Sequence, residues 1–139
     1  MTEEHREIVL DGLLLRQEGE LVYLRPEGDL SPKVAQQVVN VLLHVKKQHG
    51  RCFVLANLEK AGAIPPESRR LLIDHGTKHR PDAIALCSAG LLARTMNALV
   101  FGAMNLLGSR KQNTMQFATE QEGRLWIEAE KLRHKQTTT

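Results

Sequence analysis

The sequence predicts an α/β fold: a mostly parallel, mixed five-stranded sheet with four helices. Three observations carry that prediction. Residues 52–58 (CFVLANL) and 83–87 (AIALC) are short, almost wholly apolar runs, the pattern of strands covered on both faces. Segments with helical spacing of apolar residues lie between such runs. Turn and cap residues stand at the junctions: Gly19, Ser31, Gly50, Pro65, Pro66, Ser88 and Thr119.

Each element follows in order. Residues 8–15 (IVLDGLLL) and 21–27 (LVYLRPE) read as two strands of a hairpin, with Gly19 in the intervening RQEGE as the turn residue. Ser31 as N-cap and Pro32 at the first helical position then start a helix. Val34, Val38, Leu42 and Val45 face inward on it, Lys33, Gln37, Asn40 and Lys47 outward, and Gly50 ends it. After the strand at 52–58, a second helix runs from about Pro66 to Lys78 with Leu71 and Leu72 inward. The strand at 83–87 leads to a third helix, capped by Ser88 and reaching about Leu107. TMQFA is the last strand, and the capping box Thr119-x-x-Glu122 opens a fourth helix that buries Leu125, Trp126 and Ala129. The closing KLRHKQTTT reads as a frayed tail, so one domain spans residues 1–139 with an ordered core over about 6–133.

Composition narrows the function. The chain has 139 residues, 42% hydrophobic and 25% charged, as in an ordinary globular protein. A net charge of +3 is mild, and 4% aromatics provide no stacking platform, so nucleic acid is not the expected partner. Cys52 and Cys87 lie in apolar runs and read as buried thiols in a reducing compartment. The charged start MTEEHRE has no export signal, and the most apolar stretch is broken by Arg94, Thr95, Asn97 and Asn105. A cytoplasmic protein without a transmembrane segment is expected.

Three stretches then resemble the STAS domain family of sulphate-transporter tails and anti-sigma-factor antagonists, and within it the STAS/SEC14-like bacterial stand-alone domains. LRPEGDLSPKVAQQVVNVL is similar to the family's second strand, Gly-acid-Leu turn and first helix. RCFVLANLEKAGAIPPESRRLL is similar to its third strand, phosphorylation-loop region and second helix, and MQFATEQEGRLWI to its last strand and helix. The resemblance implies a regulatory module that binds a protein. In the antagonists that loop reads Asp-Ser-Ser/Thr-Gly and a kinase phosphorylates a hydroxyl in it. Here the acceptor position falls on Pro66 or Glu67, and Asn57 replaces the acid that begins the loop.

Elementary chemistry agrees with that departure. A helix N-terminus usually offers free N–H groups and a positive dipole end to an anion. Pro65 and Pro66 remove two donors and fix φ, while Glu67 places a carboxylate in the first turn. Ser68, one position further in, is the remaining hydroxyl.

No residue set marks an enzyme: there is no Gly-x-Ser-x-Gly, no Gly-rich phosphate loop, and no cysteine beside a base. Cys87 at a strand end reads as an inert thiol. His75 and His79 have zinc-compatible spacing beside Asp74, but no third ligand is marked, and they read as solvated helix-end histidines. No metal or cofactor is expected. The contact surface for a protein partner is assigned to Ala61, Ile64, Pro65, Pro66, Glu67, Ser68 and Arg69, joined by Arg94, Phe101 and Met104 on the polar side of the third helix. The same surface suits a second copy of the chain, a homodimer. The alternative is a carrier for a lipid or nucleotide at the strand-end edge formed by Ser88, Ala89 and Gly90, with an apolar cavity beneath it.

Overall fold

The computed structural model describes residues 5–79, 81–88 and 114–137. Of the element expected over Ser88 to Leu107, only Ser88 lies within them. The described chain runs β1 (His5–Leu10), β2 (Leu13–Glu18), β3 (Leu21–Pro26), α1 (Pro32–His49), β4 (Phe53–Asn57), α2 (Pro66–Lys78), β5 (Ala83–Cys87), β6 (Thr114–Phe117) and α3 (Glu120–Thr137). The strands form one sheet in chain order, β1-β2-β3-β4-β5-β6. The first three pair antiparallel and the remaining junctions are parallel. The α/β class and mixed sheet are as expected, with six strands instead of five.

The extra strand comes from residues 8–15. This run breaks at Asp11-Gly12, where Gly12 takes φ 77°, so Leu10 pairs with Leu13 across a two-residue loop. Arg16, Gln17 and Glu18, expected in a turn, continue β2, and the turn narrows to Gly19-Glu20.

Alternation along the strands builds two cores. Val22, Val54, Ala56, Ile84 and Leu86 point to one face and pack with Val34, Val38, Leu42 and Val45 of α1. Leu21, Tyr23, Phe53, Leu55, Ala83, Ala85 and Cys87 point to the other and pack with Ile127 of α3. Strands apolar on both faces are what two helical layers require. The caps act as predicted on α1: Ser31 Oγ accepts from Val34 N at 3.2 Å, and Gly50 at φ 76° donates to Lys46 O at 2.8 Å.

α3 differs in phase from the expectation. Thr119 Oγ1 accepts from Glu122 N at 3.2 Å and donates to its carboxylate at 3.1 Å, so the cap is present. The inward residues are Gly123, Ile127 and Glu130, whereas Leu125 is 66% exposed, Ala129 is exposed and Trp126 is half-buried. Gly123 sets this phase. A Cβ there would stand 2.7 Å from Cys87 Sγ and 2.8 Å from Leu55 Cδ1, so only glycine lets the helix lie this close to β4 and β5. The helix also continues through Thr137, across most of the segment expected to fray.

Asp82 ties the layers together at the start of β5. Its carboxylate accepts from Lys46 Nζ at 3.0 Å and Cys52 N at 2.8 Å, and lies 4.0 Å from His134 Nδ1 of α3.

Candidate functional site

The opposite end of the sheet, at the carboxyl ends of β3 and β4, carries the candidate site. Parallel strands send their following loops to the same end, which is where ligands of open α/β sheets bind. Two loops meet there. Gly28 N donates to Lys60 O at 2.9 Å, and Gly62 N donates back to Gly28 O at 2.7 Å. Leu30 N donates to Ala63 O at 3.0 Å, and Ala63 N donates to Asp29 Oδ1 at 2.8 Å. A Cβ on Gly62 would run into Asp29 and the Gly28 carbonyl carbon, so the crossing admits no side chain. Asn57 turns the chain out of β4, its Oδ1 accepting from Glu59 N at 3.0 Å. Leu58 N reaches Cys87 O at 2.8 Å, which brings in the end of β5.

From this crossing the chain enters α2 through Pro65 and Pro66. Pro65 occupies the N-cap with φ −57° and ψ 155°, makes no side-chain cap, and accepts from Arg69 N at 2.9 Å. Neither proline has an N–H, so the first turn is short of donors. Glu67 supplies the acidic group that favours a helix start. The two prolines make the elbow stiff, and its first turn carries an acidic residue in place of a side-chain cap.

The expected contact residues separate by exposure. Ala61, Pro66, Glu67 and Arg69 are exposed, as is the neighbouring Arg70, and Ile64 and Pro65 are half-buried. Ser68 is fully buried, and its hydroxyl donates to Leu30 O at 2.7 Å. It fastens α2 to the preceding loop instead of facing outward, which removes it from any contact surface. Arg94, Phe101 and Met104 lie outside the described residues, as do Ala89 and Gly90. Ser88 is buried and donates its N–H to Phe117 O at 2.9 Å, continuing the β5–β6 ladder.

Beneath the elbow is an apolar cavity of about 120 Å³, between the sheet and the α1/α2 layer. Its floor is Val54, Ala56, Ile84 and Leu86, and its walls include Val38 and Leu42 of α1 and Leu72 of α2. The exposed lining residues Gly28, Ala61, Gly62 and Ala63 place its mouth at the crossed loops. The alternative reading expected a cavity under residues 87–92. This one lies under the β3–α1 and β4–α2 loops.

His75 also lines the cavity. It is only 6% exposed, contrary to the solvated position expected of it, and His79 stacks near it with ring centroids 5.7 Å apart. Burial, reinforced by His79, pushes its pKa down to about 4, so the ring is neutral at physiological pH. Its Nδ1 is enclosed without a hydrogen-bond partner. His79 is exposed, and among the described residues no group of acids, histidines and cysteines is arranged to hold a metal. Both thiols are buried, and burial raises Cys52 to about 12 and Cys87 to about 11. Neither is a nucleophile at neutral pH.

This sheet with its two helical layers is a STAS-like, or SpoIIAA-like, fold. An uncharacterized protein of the DUF3478 family with a SpoIIAA-like fold, from Shewanella loihica PV-4, is similar with a TM-score of 0.58 and 12% identity, over 91% of this chain and 97% of that one. The anti-sigma factor antagonist SpoIIAA in its unphosphorylated form is similar with a TM-score of 0.53 and 13% identity, over 90% of this chain and 98% of its own. No protein-family model and no curated relative matches the sequence. Among the described residues, no helix is long and apolar enough to cross a membrane.

Proposed function

We propose that this chain is a non-enzymatic regulatory module that docks a protein partner through the elbow between β4 and α2. One observation carries the reading: the elbow is already built before a partner arrives. The Gly28–Lys60, Gly62–Gly28 and Leu30–Ala63 hydrogen bonds hold it from below, and two prolines fix its entry. A surface held in one conformation loses little entropy on binding. Exposed Glu67, Arg69 and Arg70 supply charges of both signs for steering and register.

The same geometry supports docking without a phosphorylation switch at this corner. Pro66 has no hydroxyl, Glu67 already supplies negative charge, and the Ser68 hydroxyl is engaged and buried. A phosphoryl group on Ser68 would put a dianion beside a carbonyl oxygen, away from water.

Photo-crosslinking in the native host tests the reading, with the photoreactive residue placed at Glu67 or, as a control, at Leu132 on α3. One discrete adduct from position 67, lost on adding Arg69→Glu and absent from position 132, is expected. Adducts equal from both positions, or insensitive to Arg69→Glu, would remove the elbow from the interface.

A further inference from the structure

We propose that the cavity under the crossed loops binds a small apolar ring compound bearing one hydroxyl, of about the size of phenol. The proposal does not rest on the docking reading, although Ala61 and Ile64 belong both to the expected contact surface and to the cavity lining.

Size limits the ligand first. Apolar cavities of roughly 150 Å³ accept benzene, so the 120 Å³ here accommodates one six-membered ring. A nucleotide or a two-chain lipid is far larger. Chemistry limits it next. Of the described lining residues, only His75 has a polar side chain. A carboxylate or phosphate would enter with no cation to meet it, at a prohibitive desolvation cost. A single hydroxyl differs, because a neutral imidazole offers one acceptor and one donor.

His75 supplies the second, independent observation. It is more than nine-tenths buried, it lines the cavity, and its Nδ1 has no partner. Buried polar groups are ordinarily satisfied, and an orphan calls for an explanation. The ring borders the same space as Ala56 and Leu72, and a half-turn about Cβ–Cγ exchanges Nδ1 with Cδ2. A ligand hydroxyl there provides the missing bond, while its ring fills the apolar remainder.

The test uses the full chain, with phenol and benzene as probes. Calorimetry should show both binding the unmodified protein, benzene roughly 3- to 10-fold more weakly for want of one hydrogen bond. Ala56→Leu, which fills the floor, should abolish both. His75→Phe should reduce phenol to the affinity of benzene. Should either variant fail to fold, the ¹⁵N resonances of the His75 ring in the unmodified protein decide. They should move on adding phenol and stay in place on adding benzene. No phenol binding, equal affinity for both probes, or an unmoved His75 ring would overturn the proposal.

Discussion

His75 shows how one side chain can convert local packing into a pH response. Its folded-state pKa of about 4 lies below the ordinary 6.5, chiefly through burial and secondly through His79, while Asp74 pulls the other way. The unfolded chain therefore binds more protons than the folded one between these values. Stability is retained above about pH 6.5 and falls as pH drops toward 4. Urea midpoints measured across this window should decline for the unmodified protein and decline less for His75→Leu. Parallel profiles would assign the acid sensitivity to other groups. Nothing in the sequence marked this histidine as buried: it stands near the end of α2, where histidine commonly meets the helix dipole and water. It lies on one stripe of α2 with Ser68, which donates to Leu30 O, and Leu72, which lines the cavity beside it.

At the level of elements, capping chemistry was the most legible signal. Ser31-Pro32 and Gly50 bounded α1, and the double proline placed the start of α2, because these residues act within their own turns. Two other features were hidden. The Asp11-Gly12 turn is masked by the otherwise apolar run around it, although Asp-Gly is itself a hairpin signal. On α3, Leu125, Trp126 and Ala129 form a plausible apolar stripe in the sequence, whereas the buried side is set by a contact across the fold. Gly123 tests that explanation. In an exposed helix Gly→Ala gains about 1 kcal/mol. Here Leu55 and Cys87 are fully packed and have little room to yield, so Gly123→Ala should lower stability, by about 1–3 kcal/mol in chemical denaturation. A gain would mean that α3 rides further from the sheet.

For the whole molecule, the α/β class and its parallel half were legible from two short apolar strands between helices. The cavity was not, since a void is a property of how α1, α2, the sheet and two loops meet, and no single segment encodes it. The gathering of loops at one end of the sheet follows from topology: successive parallel strands deliver 27–31 and 57–65 to the same edge. What topology does not dictate is that they clasp one another. Both the proposed docking surface and the mouth of the cavity depend on that clasp. Native-state hydrogen exchange reads it directly, through the amides of Gly28, Leu30, Gly62 and Ala63. A preformed elbow predicts that these four exchange slowly, with protection approaching that of Val54 and Leu55 in β4. Exchange at the rate of an open chain at these four, with β4 still protected, would contradict it.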